Sequence, residues 1–292
     1  MFKSCLICTD FSDGLHRLVD FVPDLAKAGL QKIVFFNSVP LWEEGDVPRI
    51  DDEKVAEVTE RLKSAVANVP DTVEVAIEVL SGKPLDTIPR VLKTHPVDVV
   101  FTGTPIRSLL QEQFFGSTSV GLSKLTDKPL TIIRPQLITT YTTEELSLRC
   151  QHLWQYLLIP YKDSKSGRYL IEQIKERVQA GSESYLKKIM LISVVEEGGR
   201  TAMLADARIK EAETKLAEVK TELEALGIAV NTMVKQGNPL AEIMSVALEY
   251  DISAIAIATN YRNTLLQWTA PSFANELMRR SWFPIVFFSP KK

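Results

Sequence analysis

The stretch GTPIRSLLQEQFFGSTS, residues 103–119, holds a glycine after an apolar run and, further on, a second glycine with three hydroxyl residues behind it. Glycines let a backbone come close to a phosphate, and hydroxyls with the first amides of a helix hold its charge. Gly103, Gly116, Ser117, Thr118 and Ser119 are therefore candidates for an anion cradle. Thr9 and Asp10, in TDFS (9–12), supply polar groups at the end of another apolar run. Taken alone, GSTS is an ordinary helix start, and DFSD suits a simple Asx turn.

Other reactive groups point to less. Cys5 and Cys8 form a C-x-x-C, but SCLICT has the composition of a buried strand. Side chains three apart on a strand face opposite ways, so two small core residues are expected there rather than a disulfide. Cys150 stands in a polar stretch and is expected to be an exposed thiol without an activating neighbour. His16, His95 and His152 have no carboxylate or cysteine at metal-ligand spacing. No nucleophile elbow, Walker loop or dinucleotide fingerprint occurs. Asp10 has no acid–base partner, so dedicated catalysis is not expected, and any hydrolysis of a bound nucleotide would be slow.

The elements that must position these groups follow from size and patterning. The chain has 292 residues, 45% hydrophobic and 24% charged, with a net charge of −3. That suits two ordinary soluble domains and gives no bulk attraction to nucleic acid. The longest apolar runs, AIAIA (254–258) and PIVFF (284–288), are of strand length and too short to span a bilayer. The start carries no long apolar segment of the secretory kind, and three cysteines suit a reducing compartment. The cytoplasm is the expected location.

The chain also repeats itself. KIVFFNSV (32–39) aligns with KIMLISVV (188–195), SGKPLDTIPRVLKTHPVDVVFTG (81–103) with QGNPLAEIMSVALEYDISAIAIAT (236–259), and KPLTIIRP (128–135) with FPIVFFSP (283–290). CLICTDFS (5–12) and YLLIPYKDS (156–164) complete four matched segments in one order, which marks a duplicated domain. The expected boundaries are 1–136 and 153–292, with 137–152 as a linker. In the first half, strands are expected near 3–9, 32–38, 73–80, 97–102 and 129–134, alternating with helical patterns such as Leu85, Ile88 and Leu92. Strands that are apolar throughout belong in parallel sheets covered on both faces. The expected fold is α/β, two tandem open, doubly wound, five-stranded parallel sheets. In such sheets a ligand sits beyond the carboxyl ends of the strands at the switch point, where TDFS, NSV (37–39) and TGTP (102–105) converge. The charged helix at 205–227 carries one apolar stripe, Ala212, Leu216, Val219, Leu223 and Leu226, and is expected to lie on the sheet rather than form a coiled coil.

With these segments in place, the chain resembles the universal stress protein family in its tandem form, across both halves. The markers are the first strand ending in TDFS, the G-x-P-L turn into the third helix (twice), and the fourth-strand glycine followed by GSTS. The resemblance implies an adenine nucleotide α-hydrolase-like fold and a G-x2-G-x9-G-S/T-S nucleotide motif. It places Asp10 at the adenosine end, with Thr9 before it, Val39 against adenine, and Thr102, Gly103, Gly116, Ser117, Thr118 and Ser119 around the phosphates. Ile106 departs from the motif: it stands where the middle glycine belongs, and a β-branched residue disfavours positive φ. Pro105 stiffens the same turn.

The second half departs further. Lys162 takes the aspartate position, with Asp163 one residue away, Thr259 and Arg262 replace two glycines, and Ser272 and Phe273 replace the final Gly-Ser. The resemblance thus implies a stress-response regulatory or protective binding module, with ATP, ADP or AMP, with or without Mg, in the first half. The alternatives are a nucleotide-free interaction scaffold and, less favoured, a slow nucleotide hydrolase. Expected partners are the nucleotide, a regulatory protein, and the chain itself. The terminal strands LTIIR (130–134) and IVFF (285–288) would pair as edges, within the chain as a pseudo-dimer of the halves or between two chains as a homodimer.

Overall fold

A computed structural model describes residues 1–12, 14–42, 48–103, 121–122, 125–181, 185–196, 205–259 and 273–289. The chain divides into two compact units, Phe2–Gln151 and His152–Lys292. In the first, β1 (Ser4–Cys8), β2 (Lys32–Val39), β3 (Glu74–Ser81), β4 (Val99–Gly103) and β5 (Leu130–Ile133) lie in the order β3-β2-β1-β4-β5. All four pairings are parallel. The helices between them are α1 (Val22–Lys27), α2 (Asp52–Leu62) and α3 (Pro84–Thr94), with short 3-10 turns at Leu15–Phe21 and Lys63–Val66. Leu6, Ile7, Ile33, Val34, Phe35, Val99, Val100 and Phe101 are all fully buried. Their burial on both sides of the sheet explains why these strands carry no polar–apolar alternation.

The second unit repeats the plan with β6 (Tyr156–Pro160), β7 (Lys188–Val195), β8 (Ala229–Gln236), β9 (Ala254–Ala258) and β10 (Ile285–Phe288), in the order β10-β9-β6-β7-β8. These pairings are parallel too. Its helices are α6 (Lys165–Gln179), α7 (Ala205–Glu224), α8 (Pro239–Glu249) and α9 (Phe273–Arg280). Leu216, Val219 and Leu223 are buried on α7, as a single stripe against β7 and β8. The helix is a sheet-covering helix with a solvated outer face.

Both G-x-P-L turns work alike. Gly82 and Gly237 adopt φ +137° and +138°, a conformation that costs a side-chain-bearing residue strain. Each amide returns to the preceding strand end, Gly82 to Val39 O at 2.9 Å and Gly237 to Val195 O at 3.1 Å. The prolines then occupy the first turn of α3 and α8, where no amide donor is needed. Asn238 adds an N-cap bond from the Ala241 amide at 3.1 Å.

Residues 135–151 form two helices, α4 (Pro135–Thr140) and α5 (Thr143–Gln151), that pack onto the first unit. Gln151 Nε2 donates to Asp24 Oδ1 on α1 at 2.8 Å, and Arg17 donates to the Ile138 carbonyl and to Tyr141 O at 3.1 Å. Leu146 and Cys150 are buried beneath α5. The expectation of an exposed Cys150 thiol is therefore corrected. The polar residues around it form the outer face of a helix whose inner face holds the cysteine, and burial pushes its pKa up to about 12. Cys5 is fully buried and Cys8 half-buried, both as free thiols. No helix among the described residues is long and apolar enough to cross a membrane.

Candidate functional site

In a sheet ordered β3-β2-β1-β4-β5 the winding reverses between β1 and β4, and the carboxyl ends at such a switch point are where a ligand of a doubly wound sheet sits. Thr9 and Asp10 leave β1 there, and Thr102 and Gly103 end β4, with Cys8 paired to Thr102. Thr9 continues the ladder one step past the strand, its amide donating to Phe36 O at 3.0 Å. Its hydroxyl accepts from the Phe11 amide at 3.1 Å, and Asp10 Oδ1 accepts from Ser12 N at 2.9 Å and Ser12 Oγ at 2.6 Å. These bonds close a tight turn and hold Phe11 at φ 65°. Among the described residues both Asp10 bonds fall on Oδ1, and none falls on Oδ2 of this exposed carboxylate.

Two further groups brace the turn. Asn37, buried on β2, donates from Nδ2 to the Thr9 carbonyl at 2.7 Å and pins the start of the TDFS turn. Ser38 Oγ donates to Gly82 O at 2.8 Å and meets Thr87 Oγ1 at 3.0 Å, which ties β2 to the glycine turn before α3. Val39 ends β2 and is 1% exposed. The Arg61 guanidinium of α2 lies 3.7 Å over the Phe11 ring, and the His16 ring is 5.5 Å away. Burial, with the cations Arg61 and Arg17, holds the His16 pKa below its usual value.

The structure thus places Thr9, Asp10, Thr102 and Gly103 at the adjoining ends of β1 and β4, and Val39 at the end of the neighbouring β2. Gly116, Ser117, Thr118 and Ser119 lie outside the described residues, as do Pro105 and Ile106. Sequence reasoning missed Asn37 and the Arg61–Phe11 pair. An asparagine inside the apolar run KIVFFNSV was a visible signal, since a buried amide needs a partner. Arg61 left none, because its contact depends on the left-handed Phe11.

The second unit allows a position-by-position comparison. The Tyr161 amide donates to Ile192 O at 2.8 Å, the counterpart of the Thr9–Phe36 bond, so Lys162 stands in register with Asp10. Asp163 cannot take that role by a shift of one: Arg168 holds it through a 2.7 Å ion pair. That hydrogen-bonded pair also keeps its carboxyl below the usual range. Ser193 replaces Asn37. Val99 and Ala254 pair with the equivalent residues Cys5 and Leu157, so Ala258, and not the expected Thr259, stands in register with Gly103. Gly167 sits so close to the turn that a Cβ there would meet the Lys162 carbonyl at 2.2 Å. Beyond the ends of β6 and β7 lies a cavity of ≈ 690 Å³, lined by Lys162 and Asp163, by α7, and by Phe273 at the start of α9. Arg262 and Ser272 lie outside the described residues. Among the described residues, no three His, Cys, Asp or Glu side chains form a metal-binding group.

The fold defines a pair of doubly wound α/β units. The universal stress protein family model matches residues 1–134 and 154–288. The chain belongs to that family, in tandem form. A universal stress protein from Archaeoglobus fulgidus DSM 4304 is similar over 98% of this chain and 96% of its own, at 18% identity and a TM-score of 0.65. A functionally unknown protein from Pseudomonas aeruginosa PAO1 matches over 99% and 93%, at 11% identity and a TM-score of 0.57. At these identities the likeness is one of fold. No curated protein matches the sequence.

Proposed function

We propose that the chain is a cytoplasmic, non-catalytic regulatory module whose first half binds one adenine nucleotide, ATP, ADP or AMP, with or without Mg2+. The supporting observation is that Thr9 and Asp10 leave β1 at the switch point where Thr102 and Gly103 end β4, with both Asp10 turn bonds on a single carboxylate oxygen. In this reading Asp10 accepts from the adenosine end of the ligand, and Thr9 and Asn37 hold the turn that aims it. Val39 lies on the adenine side, and Thr102 and Gly103 open the way to the phosphates. Gly116, Ser117, Thr118 and Ser119 supply amides and hydroxyls to the phosphate charge. Occupancy stabilises residues 103–119 and changes which protein partner, a second copy included, the surface accepts.

The test is amide hydrogen exchange with saturating ATP. Slowed exchange at residues 9–12 and 103–119 in the wild type, absent in Asp10→Ala, is the expected result. Unchanged exchange in the wild type contradicts the reading. Ile106, at the middle glycine of the motif, favours a second reading, a scaffold with no small ligand in the first half, and unchanged exchange supports it.

A further inference from the structure

We propose that the second half has a ligand site of its own, for a small apolar zwitterion such as an α-amino acid with an aromatic or branched side chain. At ≈ 690 Å³ the cavity beyond β6 and β7 lies within the range of small-molecule sites. Its interior is apolar: Ile192 and Val194 from β7, Leu216 from α7, Ile243 from α8, and Phe273 from α9. At the end of β9 the residue in register with Gly103 is Ala258, which carries a Cβ, and an aromatic ring stands at the start of α9. The apolar interior gives the body of an apolar ligand a place to bury.

The polar lining sets the charge of the ligand. Asp163 is neutralised by Arg168, and Lys215 by Glu218 at 3.0 Å, both partners lying outside the lining. Four charged lining groups are left: the cations Lys162 and Arg208, and the anions Glu196 and Glu211. Their side chains form no ion pair or hydrogen bond among the described residues. An unpaired group of each sign beside an apolar interior matches a ligand that carries both signs close to an apolar body. A carboxylate would go to Lys162 and Arg208, an ammonium to Glu196 and Glu211, and the side chain to Ile192, Val194, Leu216, Ile243 and Phe273. A simple anion would leave the two glutamates unanswered, and a simple cation the lysine and arginine.

The probe is L-phenylalanine, titrated into the full chain by calorimetry beside N-acetylphenylalanine, which keeps only the anion, and phenylalaninamide, which keeps only the cation. One phenylalanine per chain is expected, with each singly charged analogue about tenfold weaker or worse. Lys162→Ala and Arg208→Ala change exposed side chains and are expected to fold as the wild type does. Each should weaken phenylalanine about tenfold. Val194→Trp, which fills the cavity, should abolish binding, and Asp10→Ala, in the other half, should change nothing. Absence of binding at millimolar phenylalanine overturns the proposal. Equal affinity for either singly charged analogue, or binding that survives Lys162→Ala, Arg208→Ala and Val194→Trp together, overturns it as well. None of these outcomes depends on whether the first half binds nucleotide.

Discussion

The carboxyl end of β1 and the carboxyl end of β6 are the same place in two copies of one fold. At the first, Asp10 leaves the strand, braced by a buried asparagine and two serine bonds, both on one carboxylate oxygen. At the second, Lys162 leaves it, followed by an aspartate locked to Arg168, and an apolar cavity lies beyond. Yet the turns that carry fold information are conserved between the copies to within a degree of φ, as Gly82 and Gly237 are. The difference teaches that residues needed to wind the sheet and residues needed to hold a ligand are separable. Both halves keep the first set, while the residues that leave β1 and β6 differ.

Charge reversal at the two equivalent positions should break this symmetry most strongly. Asp10→Lys is expected to weaken adenine nucleotide roughly 100-fold or more, the scale of a lost charged hydrogen bond plus a repulsive replacement. Lys162→Asp should leave nucleotide binding unchanged. Competitive fluorescence titration of both variants checks the pair.

Glycine substitutions should show which features the halves share. Gly82→Ala and Gly237→Ala each force a Cβ into a φ near +137°, at a cost of about 1–3 kcal/mol. Gly167→Ala, with its 2.2 Å clash against a carbonyl, should destabilise the second half by about 1–3 kcal/mol. Urea unfolding of the three variants measures this. Nucleotide affinity should survive the Gly167 change, because it touches only the Lys162 turn.

Smaller effects sharpen the first site. Ile106→Gly restores the motif glycine and should strengthen ATP binding about tenfold at most, since the change touches a single backbone position. Alkylation at pH 8 should modify Cys8, which is half-buried, well before Cys150, whose thiol pKa of about 12 leaves almost no thiolate. Mass mapping of the modified protein separates the two. The last effect concerns pH. His16 has a folded pKa lowered from 6.5, so the unfolded chain takes the proton first as pH falls. The stability of the first half should therefore be full above pH 6.5 and decline below it. A His16→Gln variant should show a flatter melting profile across that window.

Much of the fold was legible because its signals are local and doubled. Apolar strands of matching length, helix stripes and two G-x-P-L turns recur at a fixed spacing, and every strand of the first half lies within two residues of its expected bounds at each end. Residues 137–151 were harder, because α5 buries only Leu146 and Cys150 among polar neighbours. Two buried residues in a nine-residue helix give too weak a period to reveal which face turns inward. At the site, Asp10 and Gly103 could be placed because strand ends are fixed by the sheet. The bond from Asn37 to Thr9 and the stacking of Arg61 on Phe11 join residues 28 and 50 apart, and depend on a turn geometry that no linear pattern encodes.

The most direct test of the central claim is calorimetric titration of nucleotide-stripped protein with ATP, ADP and AMP, beside Asp10→Ala and Lys162→Ala. The account predicts one nucleotide per chain, lost in Asp10→Ala and retained in Lys162→Ala. Two nucleotides per chain, binding that survives Asp10→Ala, or no heat at millimolar ligand would contradict it.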